Sequence, residues 1–178
     1  MAEAAVMSEA KFAERAPVPR WWTGTPALPK EVYQIDCREY AMDEGDLEVN
    51  SALAKRMGAT FHDVGLVHLT NTGITDLGKM RQLAKHVIRD EMDYKGGANP
   101  RDVLQPNVYE IGAPLPAFLH YHHEMAYVSN STKMLGFLCK QATVGKGKTF
   151  VSDNVAVTDA LLATEFGQKL KEHGLCYH

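Results

Sequence analysis

One stretch of the chain repeats its apolar residues at helical spacing more clearly than any other. Leu77, Met80, Leu83, Ala84, Val87 and Ile88 fall on one face and Lys79, Arg81, Lys85 and Arg89 on the other, which predicts an amphipathic helix beginning after Thr75. Upstream, Asp46 stands as the N-cap of a shorter helix that carries Leu47, Leu53, Ala54 and Met57 and stops at Gly58. Val32 to Asp36 and Phe61 to Leu69 read as short strands on either side of it. Residues 1–30 form a separate lead-in. Four prolines and the pair Trp21-Trp22 between Ala16 and Pro29 predict an extended or partly disordered arm whose indoles pack on the body.

Beyond Pro106 the pattern changes to short apolar and aromatic runs broken by Gly and Pro. Val108 to Ile111, Phe118 to His122, Met134 to Cys139 and Thr149 to Val151 are the expected strands. Asp153 and Asn154 then cap a helix through Val155 to Ala163. A second short helix runs from Glu165 to His173, and Gly174 leads into Leu175-Cys176-Tyr177-His178, the start of a further strand. No repeat or low-complexity tract interrupts this order. Residues 31–178 therefore read as one α+β domain, helices packed against an antiparallel sheet still being built where the chain stops.

Composition narrows the range of functions. At 178 residues and 45% hydrophobic content the chain can bury one core. Nineteen Lys and Arg against 22 Asp and Glu leave a formal net charge of -3, so no broad field exists to hold nucleic acid or an anionic membrane. A small molecule is the expected partner. Cys37, Cys139 and Cys176 are odd in number and lack the paired spacing of a zinc site or a disulfide framework, which fits a cytoplasmic or other reducing intracellular compartment. Met1 to Pro19 has no uninterrupted apolar run of the signal-peptide kind, and no later stretch is long enough to span a bilayer.

The densest group of potential ligands is Leu119-His120-Tyr121-His122-His123-Glu124. On a strand, His120, His122 and Glu124 would share one face and His123 would point away. Residues two apart stand about 6.7 Å apart at Cα, within joint reach of one ion, whereas residues four apart, at about 13 Å, are not. Either His120 and His122 pair, or His122 and Glu124 do. A histidine with a carboxylate is two thirds of the facial triad that holds non-haem iron(II), and a second histidine must come from elsewhere. Alone, an H-x-E motif is weak, because histidines on strands are often simply hydrogen-bonded residues.

Its context is more specific. The stretch from Asn107 through His122-His123-Glu124 to Tyr127 resembles the segment leading into the first metal motif of the taurine dioxygenase/clavaminate synthase family of iron(II)- and 2-oxoglutarate-dependent oxygenases, in the branch that uses glutamate. Met134 to Cys139 is similar to the apolar strand that follows that motif. Gly145-Lys146-Gly147-Lys148-Thr149 stands where relatives carry a glycine-glycine-acid-threonine turn, with Lys146 and Lys148 replacing the first glycine and the acid. Gly58-Ala59-Thr60-Phe61 resembles a strand entry, so the likeness runs from about Val32 to the C-terminus.

The resemblance implies an incomplete double-stranded β-helix, the jelly roll of these enzymes, with flanking helices. It implies His122 and Glu124 as iron(II) ligands, Thr149 as a contact to the co-substrate 2-oxoglutarate, and O2 as second co-substrate. The reaction it implies is the hydroxylation of a small polar molecule such as an amino acid or related acid. The family's second metal histidine and its 2-oxoglutarate-clamping arginine come late in the chain and are expected beyond His178. Of the histidines after Glu124, His173 falls in a predicted helix and His178 at the terminus, neither in the expected context. The chain by itself is thus expected to be a poor catalyst. A truncated or degenerate homologue without activity is the alternative, and the unpaired strand edges of half a jelly roll invite homo-oligomers.

Other motifs have plainer readings. Gly147-Lys148-Thr149 matches the tail of a phosphate-binding loop, but Ala142 occupies the place of the first glycine and Phe150-Val151 favours strand over helix, so a nucleotide-binding protein is the minor alternative. Asn130-Ser131-Thr132 matches a glycosylation sequon and reads as a polar turn. Tyr127 and Trp21-Trp22 are candidates for a substrate pocket, with core packing as the commoner role of such aromatics.

Overall fold

Gln34–Asp36 (β1) pairs in parallel with His68–Thr70 (β2), Ile35 lying opposite Leu69. Parallel neighbours cannot be joined by a tight turn. After the single turn α1 (Lys30–Tyr33) and β1, the chain crosses to β2 through helix α2 (Ala52–Val64). The computed structural model describes residues 28–94, 101–110, 119–142 and 149–176. The arm with Trp21-Trp22 therefore lies outside the described residues.

Helix α2 spans Ala52–Val64 and differs from the sequence expectation at both ends. Its N-cap is Ser51, whose hydroxyl accepts from the Ala54 amide at 3.0 Å. Asp46 caps a loop instead, accepting from the Met42 amide at 2.7 Å. Gly58 lies inside the helix. Buried Leu53, Ala54, Met57 and Thr60 carry the helical period past it, and the stop is Gly65 at φ 75°, the left-handed conformation that glycine adopts most readily. The resemblance of Gly58 to Phe61 to a strand entry is overturned with it, and the strand expected from Phe61 shrinks to β2. Val32 and Tyr33 likewise close α1, leaving Gln34 to start β1.

The core forms where α2 lies on this pair of strands. Ile35, Leu47, Leu53, Met57 and Leu83 are buried together, with Tyr40, Met42, Val67, Leu69, Ile74 and Val87 packed against them. Each large apolar side chain buried here contributes about 1.5–3 kcal/mol. Leu83 comes from α3 (Leu77–Ala84), the helix anticipated from the clearest apolar stripe, capped by Asp76 through the Lys79 amide. Just beyond its end, buried His86 donates from Nε2 to the main-chain carbonyl of Asp46 at 3.0 Å, tying α3 to the loop before α2.

Val103–Gln105 (β3) and Val108–Tyr109 (β4) make a short antiparallel hairpin, turned by Pro106 and by Asn107 at φ 61°. Glu91 fastens this hairpin to α3, accepting from Arg81 Nε at 2.7 Å and from Asn107 Nδ2 at 3.4 Å. The Tyr109 hydroxyl accepts from the Tyr94 amide at 2.9 Å and donates to Asp93 Oδ1 at 3.0 Å.

The other expected strands form no ladder where they are described. Residues 119–122, 134–139 and 149–151 are irregular, and Leu119, Leu135, Phe137, Phe150 and Val151 are exposed. A strand obtains its hydrogen bonds only from a neighbouring strand, and none of the described residues supplies one here. Ile111 and Phe118 lie outside the described residues. The two C-terminal helices follow the sequence reading closely: α4 (Asn154–Leu162) is capped by Asp153 and α5 (Glu165–His173) by Thr164. Their corner admits only glycine at position 167, where a Cβ would stand 2.0 Å from the Leu161 carbonyl oxygen. Leu175 and Cys176 are irregular, and the remainder of the strand expected there is outside the described residues. No described helix is long and apolar enough to cross a membrane.

Candidate metal centre

The chain brings His122 and Glu124 together without a strand to align them. It bends after Glu124 at Met125, a non-glycine residue at φ 59° whose side chain is only 4% exposed. That conformation is costly for a side-chain-bearing residue and persists where the surroundings fix it. Here the buried Met125 side chain and the Val128 amide, bonded to the Met125 carbonyl at 3.2 Å, hold the turn. His122 Nδ1 lies 2.7 Å from the His120 carbonyl. A carbonyl only accepts, so Nδ1 carries the hydrogen. The other ring nitrogen, Nε2, faces Glu124 Oε2 at 3.7 Å.

Glu124 is held from its other side. Arg101 Nη2 donates to Oε1 at 2.7 Å, in a pair whose side chains are 25% and 17% exposed. The Arg101 guanidinium stacks over the Tyr94 ring, 4.6 Å from its centroid. Tyr94 in turn packs at a tilt on Tyr109 of β4, with centroids 5.4 Å apart. Its phenol is hydrogen-bonded to Tyr127, and its pKa is raised, first by burial. The sequence reading missed Arg101 and Tyr94. They stand 21 or more positions from the motif, in a stretch with no spacing signal, and only the folded chain places them beside it.

Of the remaining candidates, Tyr127 joins this cluster through Tyr94, whereas no hydrogen bond or ion pair among the described residues draws in Thr149 or His173. Thr149 is exposed on irregular backbone, and the turn before it, 143–148, lies outside the described residues. The next helix begins at Asn154. Thr149 therefore does not open the helix that a phosphate-binding loop requires. Tyr127 is half-exposed on the turn after Glu124. His173 is exposed on α5 next to Glu172. Among the described residues no group of three His, Cys, Asp or Glu side chains converges as a metal site. A cleft of about 470 Å³ lies between Glu91 to Asp93 and Val128 to Asn130, segments that adjoin Tyr94 and Tyr127.

The chain is 27% identical over 124 residues to a clavaminate synthase-like protein of Arabidopsis thaliana. The alignment takes in 68% of this chain and 38% of that relative, so the chain spans well under half of the relative's length. No family model and no solved structure matches. At this identity the match supports a distant relationship to clavaminate synthase-like proteins.

Proposed function

We propose that this chain carries the first two iron ligands, His122 and Glu124, of an iron(II)- and 2-oxoglutarate-dependent oxygenase, in an α+β domain that is part of a double-stranded β-helix. The facing of Nε2 and Oε2 at 3.7 Å carries the proposal. With the Nδ1 hydrogen committed to a carbonyl, the neutral form of the ring would offer a lone pair at Nε2, aimed at a carboxylate oxygen. In that form the imidazole nitrogen and the carboxylate oxygen are a donor set that a cation would draw together. Metal bonds of about 2.0–2.2 Å put two adjacent ligands of one ion roughly 2.8 to 3.6 Å apart, so the pair would close slightly on an ion. A second histidine completes such a triad and is sought outside the described residues.

Bound there, iron(II) supplies oxygen activation, with 2-oxoglutarate as the co-substrate that is consumed. The residues of this chain present the donors. His122 is fixed in its tautomer by the His120 carbonyl, and Glu124 brings the negative charge that favours a divalent ion. Thr149 is proposed as a hydrogen-bond donor to the co-substrate and Tyr127 as a substrate contact. The cleft between Glu91 and Asn130 has the size of a site for a small polar molecule such as an amino acid or related acid.

The Arg101–Glu124 pair supports a second reading, a degenerate homologue in which Glu124 is only half of a structural ion pair. Anaerobic titration of the purified chain with iron(II) and 2-oxoglutarate separates the two. Binding, followed by iron-dependent release of succinate once oxygen is admitted, supports the oxygenase. Complete failure to bind either ligand leaves the degenerate homologue.

A further inference from the structure

Resting on the reading of His122 and Glu124 as metal ligands, we infer that Arg101 is a positioning residue for the metal carboxylate, held in place by the face of Tyr94. The geometry divides the carboxylate between two tasks. Oε1 is taken by Arg101 at 2.7 Å, while Oε2 is turned to His122 Nε2. A carboxylate free to rotate would present either oxygen, or both, to an ion. One oxygen pinned by a guanidinium leaves a single oxygen in a single orientation, as hydrogen-bonded outer partners do for metal ligands generally.

Arg101 is itself constrained. Its guanidinium lies 4.6 Å above the Tyr94 ring centroid, and Tyr94 is fixed by its amide bond to the Tyr109 hydroxyl, by the tilted packing of the two rings and by its hydrogen bond to Tyr127. The order set by hairpin β3–β4 thereby reaches the carboxylate through two side chains. A lysine can replace the charge of Arg101 but not its planar stacking on the ring. The arrangement thus predicts partial rescue by lysine and loss of function without the ring.

Titration of the 178-residue chain with cobalt(II), followed by the ligand-field absorption of the bound ion, and with iron(II) under anaerobic conditions, tests this. Arg101→Ala and Tyr94→Leu are expected to weaken metal binding by about 10- to 100-fold. The cobalt spectrum should shift as the carboxylate changes its binding mode, Arg101→Lys should recover part of the affinity, and Tyr94→Phe should keep most of it. Far-UV circular dichroism of each variant checks that the fold is retained. His122→Ala marks the metal site itself. If His122→Ala abolishes binding while Arg101→Ala leaves affinity and spectrum unchanged, the role of Arg101 is overturned and the iron reading survives. If Arg101→Ala binds metal more tightly, Arg101 competes with the ion and the inference is wrong. A chain that takes up no metal at all sinks the iron reading, and the role of Arg101 with it.

Discussion

Glu124 Oε2 stands 3.7 Å from His122 Nε2 although the two residues share no strand, with Nδ1 of the imidazole tied to the His120 carbonyl and Oε1 of the carboxylate to Arg101. This relationship separates His120 and His122 by role. His122→Ala is expected to remove metal binding, at least tenfold in affinity. His120→Ala is expected to leave it nearly unchanged, since His120 serves His122 through its main-chain carbonyl. Metal titration of both variants checks this, and the reverse ranking would mean that the wrong pair has been chosen.

Two glycines of α2 should respond in opposite directions. Gly58 has helical neighbours on both sides and nothing within 4 Å of a new Cβ, so Gly58→Ala is expected to stabilise the chain by about 0.5–1 kcal/mol. Gly65 ends the helix at φ 75°, where a Cβ is strained, and Gly65→Ala should destabilise by about 1–2 kcal/mol. Urea unfolding of the two variants measures both. Equal destabilisation would place the end of the helix at Gly58 after all.

The three cysteines should differ in reactivity. Cys37 is fully buried beside Asp36 and Asp46, and its thiol is pushed up to about 11, by burial first and then by those carboxylates. Cys139 and Cys176 are exposed. A thiolate is the reacting form. An aromatic disulfide reagent at pH 8 should therefore modify two thiols of the native chain quickly and the third only on unfolding. Three equal rates would show that Cys37 is not in the core.

Acid should weaken the chain through two carboxylates. Arg38, with Asn71, holds the Asp36 carboxyl well below its ordinary 3.8, and Arg81 with Asn107 lowers Glu91 from 4.5. A depressed carboxylate contributes stability above its unfolded pKa and loses it as the pH falls through the folded value. The loss should accordingly begin near pH 4.5 and continue downward. Glu91→Gln is expected to lower the melting temperature by a few degrees at pH 7 and to flatten its fall below pH 4.5. An unchanged acid slope would remove Glu91 from the account.

Much of the helical framework was legible because its signals are local. The apolar stripe from Leu77, the cap at Asp153 and the span Glu165–His173 are set by residues within a few turns of one another. Gly58 misled because glycine in a sequence does not say whether its φ is positive. That depends on whether Thr60 and the residues after it find a buried face, a fact of tertiary packing. The apolar runs at 134–139 and 149–151 carry strand propensity, yet propensity does not supply the neighbour whose amides and carbonyls a strand needs.

The candidate site divides along the same line. Sequence alone placed an imidazole and a carboxylate two positions apart and so determined the donor chemistry on offer. Which nitrogen faces which oxygen, and that Arg101 and Tyr94 steady the carboxylate from more than twenty positions away, was decided by the fold. Residue identity fixes what an atom can donate or accept, whereas direction and company come only from the chain closing on itself.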